Sequence, residues 1–319
     1  MKAAYIEKTG SYKEIKIGEL PLPTIKNNEV LVKVSYTSVN HVDTFVRAGG
    51  FETKMNFPFV IGRDAVGIVE KIGQAVNNFQ VGDHVWTNSM GYDGRVGVTS
   101  EFVAIPDNRL FKAPKVDPVQ LVASVHSSAT AAIILNDIFQ VKRNGSILIE
   151  GAAGHVGTKL VQLSKLLGLK VTTTSNTNDF EQLIKLGSNQ TIDYHTDISL
   201  VKNKFDYIID TSGRVDLNQN LQKLKLYGQV VLITAPKTNQ FAFDVRQFYT
   251  SSKSIKGFVI SHATLEQIQK ASRVLNYWLE QGYLLDDACE VLPLADASKA
   301  HQMLEEGSDH KQRLVLKLI

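Results

Sequence analysis

The sequence has a single cysteine, Cys289, in 319 residues. No disulfide can form within the chain, and a zinc site built on several thiolates is excluded. An excess of one charge is lacking too. The 35 Lys and Arg stand against 32 Asp and Glu, a net +3 without any Lys/Arg run, which argues against nucleic acid as a partner. No apolar stretch reaches the about 18 residues that a membrane helix needs. Met1-Lys2 runs into Ala-Ala-Tyr-Ile-Glu without an apolar core, so no signal peptide is expected, and the expected location is the cytoplasm. There is no internal repeat and no low-complexity segment. A chain that is 43% hydrophobic and 21% charged has the composition of a globular protein, and its length allows about two domains.

What is present is concentrated in Ser146–Gly168, SILIEGAAGHVGTKLVQLSKLLG. The apolar run Ile147-Leu148-Ile149 leads at once into Gly151, Gly154 and Gly157. Helix-spaced Val156, Leu160, Leu163, Leu166 and Leu167 follow. Strand, glycine turn and helix in that order bring backbone N–H groups and the positive end of a helix dipole up to a diphosphate. The fingerprint reads A-A-G-H-V-G, with Ala152 where the first glycine usually stands. An ordinary glycine-rich turn is the plainer alternative.

Around this motif the texture changes once. From Met1 to about Pro114 short strands alternate with turns: Val30–Tyr36, Gly62–Ile72, Val81–Trp86 and Ser100–Ile105. Prolines and glycines punctuate them, which reads as a β-rich, barrel-like domain. Leu121–Phe139 is a long apolar helical segment. Beyond it strands at Ile147–Ile149, Lys170–Thr174, Gln190–Ile192, Tyr207–Asp210, Gln229–Thr234 and Ile255–Ile260 alternate with helices at 156–167, 179–186 and 216–226. That alternation means an α/β fold with a parallel sheet. A helix is expected at 264–281. The alternating tail Leu314–Leu318 is expected to return as a strand to the first domain.

Strings along nearly the whole length resemble the medium-chain dehydrogenase/reductase superfamily, in particular its zinc-independent quinone oxidoreductases. They are MKAAYI at the start, SVNHVDTFVRAG at 38–49, GRDAVGIVEKIG at 62–73, VGDHV at 81–85, EGAAGHVG at 150–157, LGSNQTIDY at 186–194, FDYIID at 205–210 and the terminal RLVLKLI. The resemblance implies a GroES-like catalytic domain over 1–120 plus 266–319. It also implies a doubly wound, Rossmann dinucleotide-binding domain over 121–265. Zinc-dependent relatives place a cysteine ligand at Asn40 and a His-Glu pair at Arg63-Asp64. Asn40 is a poor zinc ligand, the cysteine-rich structural loop is missing, and His41, His84 and Asp64 have no metal-ligand spacing, so no metal is expected.

NAD enzymes carry an acid about 20 residues past the glycine turn, on the ribose hydroxyls. Here the second strand ends Thr174-Ser175-Asn176-Thr177, with no acid before Asp179, an expected helix cap. NADPH-preferring relatives are similar here and have a tyrosine that matches Tyr194, though the basic loop residue many of them carry is replaced by Asn176, Thr177 and Asn178. NADP(H) is therefore expected over NAD. In such sheets the ligand lies beyond the carboxyl ends of the strands. The expected cofactor-binding residues are Asn40, Ala153, Gly154, His155, Val156, Gly157, Thr174, Ser175, Asn176, Tyr194, Thr211, Ala235, Phe258 and Val259.

By the same resemblance Asn40, Asp43 and Arg47 match pocket residues of the family, and Asn40 and Asp43 are the catalytic candidates. Asp43 and Arg47, four apart, equally fit an ion pair within one helix. The substrate pocket is expected to include Phe45 and Phe51, where some quinone reductases have tyrosines, with Tyr92 and His126. A donor to the oxygen that gains charge is sought among Tyr92, Arg95, His41, His126 and solvent. The implied activity is NADPH-dependent reduction of a quinone or an α,β-unsaturated carbonyl without metal. A zinc-type alcohol dehydrogenase and a dinucleotide-binding redox sensor of little activity are the alternatives. KSIKGFVI at 253–260 reads as an edge strand, which relatives pair across a two-fold axis, so a homodimer is expected.

Overall fold

A computed structural model describes every residue except Glu52. The N-terminal half lays down β1 (Lys2–Ile6), β2 (Lys16–Glu19), β3 (Glu29–Val39), α1 (His41–Ala48), β4 (Phe59–Val60), β5 (Asp64–Ile72), β6 (His84–Thr87), β7 (Phe102–Pro106) and β8 (Leu110–Lys112). Next come α2 (Pro118–Ile133), β9 (Ser146–Glu150), α3 (His155–Leu166), β10 (Lys170–Ser175), α4 (Phe180–Leu186) and β11 (Gln190–Asp193). The chain continues through β12 (Phe205–Asp210), α5 (Leu217–Lys223), β13 (Leu224–Leu232), α6 (Val245–Thr250) and β14 (Ser254–Gly257). It closes with α7 (Leu265–Glu280), β15 (Cys289–Pro293), α8 (Ala297–Glu306) and β16 (Arg313–Lys317). Two compact units result: Met1–His126 with Thr264–Ile319, and Ser127–Ala263.

The first unit is the GroES-like domain. Its main sheet runs β15-β16-β3-β5-β6-β8, with β7 also on β3, and a second sheet is β2-β1-β4. The tail strand β16 pairs antiparallel with β3, Leu314 opposite Val39, so the C-terminus belongs to this sheet. Ala4, Ile6, Val30, Val32, Val34, Val69, Val85, Ile105, Leu314 and Leu316 form its apolar core. Thr264 starts α7 with a capping box. Its hydroxyl accepts the Gln267 N–H at 3.2 Å and its own N–H reaches Gln267 Oε1 at 2.9 Å, which satisfies two otherwise orphaned donors.

The second unit is a six-stranded parallel sheet ordered β11-β10-β9-β12-β13-β14. Its central strand β9 buries Ile147, Leu148 and Ile149 completely, as a strand covered on both faces must. Chain order reverses direction between β9 and β12, and such a switch point is where this fold binds ligands.

Four sequence expectations change. β13 starts at Leu224 rather than Gln229, because Leu224 is buried and pairs opposite Phe205, and this trims the expected helix 216–226 to α5. β14 ends at Gly257. Phe258 N–H still reaches Leu232 O at 3.1 Å, but Ile260 begins a 3-10 turn, so the strand is four residues long. Asp179 caps α4 with its backbone only. The fourth change concerns length. α2 continues through a π-helical turn at Ile134–Ile138, and Pro118–Ile138 is long and apolar enough to cross a membrane by length and composition, although 83% of that window is buried inside the protein. Its apolar residues serve the core.

Candidate functional site

In the parallel unit all strands point the same way, so the residues that follow them gather at one end. Gly151 to Gly157 follow β9, Ser175 and Asn176 stand at the end of β10, and Tyr194 follows β11. Thr211, Ala235, and Phe258 with Val259 follow β12, β13 and β14. The expected cofactor residues other than Asn40 therefore share this end. Thr211 Oγ1 donates to Glu150 O at 2.7 Å and to Gly151 O at 3.1 Å, which fixes the two loops at the switch point together. Asp210 Oδ1 accepts Ser212 N–H, Ser212 Oγ–H and Gly213 N–H at 2.7, 2.7 and 3.1 Å and shapes the loop after β12.

The glycine turn has the form a diphosphate needs. Gly154 is the N-cap of α3 at φ −78° and ψ 171°. A Cβ placed on it would meet only Gly151 O, at 3.3 Å, so its outer side is open. Gly157 is the opposite case, since its Cβ would lie 2.6–2.7 Å from the Ala152 backbone. One glycine leaves a cradle in front of the first N–H groups of α3 and the other lets α3 pack onto the turn.

At the ribose end, Thr174 and Ser175 are buried and carry no charge. Tyr194 N–H donates to Ser175 O at 3.0 Å, so Tyr194 does sit beside Ser175. Sequence reasoning missed an acid one strand away. Asp193 lies in register opposite Ser175. Its Oδ1 accepts the His195 N–H at 2.8 Å and contacts His195 Nδ1 at 2.7 Å, which holds the carboxyl below its ordinary range.

Directly beneath the turn is a buried acid that the sequence did not single out. Glu150 ends β9 opposite Asp210. Burial, with the neighbouring Asp210 charge, pushes its carboxyl up to about 8, while Asn220 Nδ2 donates to Oε2 at 2.8 Å. Its Oε1 is buried without a partner. A neutral acid fits that place; a carboxylate does not.

The GroES-like unit holds a second polar centre. Asp64, the first residue of β5, is fully buried. Its Oδ2 accepts from Asn40 Nδ2 at 2.8 Å and lies 2.8 Å from His126 Nδ1, while Oδ1 accepts the Ser89 N–H at 3.0 Å. The adjacent His126, together with the Arg63 charge and the Ser89 N–H, outweighs burial and holds Asp64 below the ordinary carboxylate range. Asp43 takes the Asn40 N–H at 2.7 Å. Burial, reinforced by the Asp64 charge, pushes it up to about 7. Two carboxyls driven apart in this way divide into an acid and a base.

Asn40 is thus less an open donor than a brace, for its amide also reaches Ser38 Oγ at 3.2 Å. The expected Asp43–Arg47 helix pair is replaced. Arg47 is buried and bonds Glu305 of α8, because Asp43 is already turned back onto the start of its own helix. Phe45, Phe51 and Tyr92 form an edge-to-face series at 6.0 and 6.4 Å. The Arg63 and Arg95 guanidiniums stand 5.5 and 5.8 Å from the Tyr92 ring. Arg95 Nε donates to Ser89 O at 3.1 Å and so links this aromatic wall to the Asp64 centre. His41 interacts instead with Asp309 and Arg313, and His84 is exposed on β6. Among the described residues no group of three His, Cys, Asp or Glu side chains is placed to hold a metal ion.

Residues 26–115 match the family described as the alcohol dehydrogenase GroES-like domain, and residues 156–276 the family described as zinc-binding dehydrogenase. The chain is 28% identical over 328 residues to a quinone oxidoreductase of Sus scrofa, covering 100% of this chain and 98% of that protein. It resembles the native structure of a mycobacterial quinone oxidoreductase with a TM-score of 0.84 at 25% identity, covering 99% of both chains. It also resembles a mycobacterial structure complexed with NADPH, with a TM-score of 0.82 at 26% identity, again over 99% of both.

Proposed function

The chain belongs to the medium-chain dehydrogenase/reductase superfamily, in its quinone oxidoreductase-like branch, and on that premise we propose that it reduces a quinone or an α,β-unsaturated carbonyl with NADPH and without a metal ion. The observation that carries the reading is the open Gly154 cradle at the start of α3, where a Cβ would meet only Gly151 O. The metal-free part of the reading is supported by Asn40, a poor metal ligand, standing where zinc-dependent relatives have a cysteine. Solved relatives in complex with NADPH support the choice of dinucleotide.

The residues at the glycine turn fit a dinucleotide. Ala153 to Gly157 would hold the diphosphate by backbone N–H groups, and Ser175 and Tyr194 would flank the adenosine ribose. When bound, the reduced nicotinamide supplies hydride; the chain binds, orients and excludes water. The expected result is tighter binding of NADPH than of NADH in a fluorescence titration. Ser175→Asp should weaken NADPH about tenfold or more by setting a carboxylate against the 2′-phosphate. Equal or tighter NADH binding by the unaltered protein would reverse the assignment. Turnover of quinones or enones, with none of simple alcohols, separates this reading from an alcohol dehydrogenase and from a sensor.

Assembly and location complete the proposal: a cytoplasmic homodimer. β14 lies at the edge of its sheet, with Ile255, Phe258 and Val259 only partly buried. An unpaired edge must be shielded or paired, and pairing with its own copy is a two-fold contact. Light scattering at micromolar concentration should give twice 35.3 kDa; the single-chain mass would exclude the dimer.

A further inference from the structure

The buried acid beneath the glycine turn has a neighbour in the same condition. Glu150 Oε2 accepts from Asn220 Nδ2 at 2.8 Å. Among the described residues, Glu150 Oε1 and Asn220 Oδ1 are both buried without a partner. Both are acceptor oxygens, on side chains that already share one hydrogen bond. A protonated carboxyl offers one O–H donor and one acceptor oxygen, and a primary amide offers the complementary pair. One proton on Oε1, donated to Asn220 Oδ1, closes a ring of two hydrogen bonds and satisfies both atoms. Without it each oxygen keeps the desolvation cost of a buried, unpaired acceptor.

The groups around the pair leave it that role. Asp210, in register opposite Glu150 on β12, has Oδ1 taken by three donors of the loop that follows. Thr174, in register on β10, is uncharged, and its Oγ1 accepts the Gly151 N–H at 3.4 Å. On α5, the Asp216 cap accepts the Asn218 N–H, and Lys223 bonds Ser199 O and Val201 O. The ionisable residues in the first turns of α3 are His155 and Lys159, and neither is hydrogen-bonded to Glu150. Asp210 is therefore the charge that acts on it.

We infer that Glu150 is a proton-carrying positioning residue for the dinucleotide: the ring it closes with Asn220 holds the glycine turn, and the turn binds its anion best while that proton is in place. This rests on the reading of the turn as a dinucleotide site. Glu150 O accepts the Thr211 N–H and Oγ–H at 3.1 and 2.7 Å, and the next residue, Gly151 at φ +69°, opens the turn. One residue thus joins β9, the loop after β12 and α5. A diphosphate in front of the first N–H groups of α3 adds negative charge near this carboxyl, which favours its neutral form. Burial and the Asp210 charge already push the carboxyl up to about 8, and the anion raises it further. By linkage the proton strengthens anion binding by the same factor. Affinity is therefore full where the free protein holds the proton, and falls as pH rises through about 8 toward the higher value of the complex. Binding in that range takes up protons from solvent.

NADPH dissociation constants between pH 7 and pH 9 test the coupling. The 2′-phosphate, with a second pKa of about 6, stays ionised throughout. For the unaltered protein the constant should rise about fivefold over that range. Glu150→Gln keeps both ring hydrogen bonds without a titrating group, so it should bind within about twofold of the unaltered protein at pH 7 and show no such rise. Glu150→Leu keeps neither bond and should bind about fivefold or more weakly at pH 7. Infrared spectra of protein labelled with carbon-13 at its glutamate carboxyls should show a protonated carboxyl at pH 7 that is absent from Glu150→Gln. Its titration midpoint should move upward when NADPH is added. An equal pH dependence in Glu150→Gln, a folded Glu150→Leu that binds as tightly as Glu150→Gln, no protonated glutamate at pH 7, or a midpoint unmoved by bound NADPH would each overturn the inference. A protonated Glu150 in a chain that binds no NADPH at any pH would instead overturn the dinucleotide site, and the coupling with it.

Discussion

Gly154→Val should fold as the unaltered chain does and lose its dinucleotide. The backbone there, φ −78° and ψ 171°, is open to any residue, and the first side-chain atom would meet nothing closer than Gly151 O at 3.3 Å. The cost falls on the ligand. A branched side chain would fill the space in front of the first N–H groups of α3, the donors that a diphosphate needs. A loss of about a hundredfold or more in NADPH affinity, roughly 2.7 kcal/mol, is expected with only a small fall in melting temperature, the cost of a valine N-cap close to Gly151 O. Gly157→Val should fail differently. Its Cβ would lie 2.6–2.7 Å from backbone atoms of Ala152, so helix and turn cannot both keep their places. Melting curves and dissociation constants for the two variants separate a binding glycine from a packing glycine. Wild-type affinity in Gly154→Val would remove the cradle from the account.

The second large effect is on stability and comes from Glu150. Its carboxyl is raised from 4.5 to about 8 by burial first and the Asp210 charge second. Between those values the folded chain keeps a proton that the unfolded chain has released. The contribution is therefore intact below about pH 4.5 and is lost as pH rises toward 8, at up to about 1.4 kcal/mol per pH unit. Asp43, raised to about 7, acts with the same sign over the lower part of that range. Denaturant midpoints should fall steadily from pH 5 to pH 8. Glu150→Gln keeps an acceptor for Asn220 and carries no charge, so its midpoint should fall less steeply and exceed that of the unaltered protein at pH 8. Parallel pH dependences in the two proteins would show that Glu150 does not titrate as described.

How far the sequence reached depends on the range of the forces involved. The turn from Gly151 to Gly157, the alternation that gives the parallel sheet, and the return of β16 to the GroES-like unit are written in local patterns of glycine and apolar spacing. Those patterns were readable because each is decided within a few residues. The start of β13 was not, since Leu224 is fixed by pairing with Phe205. Arg47 has a plausible partner four residues away and instead finds Glu305, 258 positions along the chain. Asp64 and His126 stand out singly in the sequence, one as a carboxylate without metal-ligand spacing and one as a candidate donor. Nothing in their spacing of 62 residues announced that they touch. Glu150 looked like the end of an ordinary strand, because the cost of its charge depends on Asp210 and on burial.

The most direct measurement is mass spectrometry of the product formed from an enone by chelator-treated protein with NADPH carrying deuterium at the transferable C4 position. The account predicts a saturated ketone with one deuterium on the carbon β to the carbonyl, formed at the same rate with and without chelator. Product lacking deuterium at that carbon, or formation that requires added zinc, would contradict it.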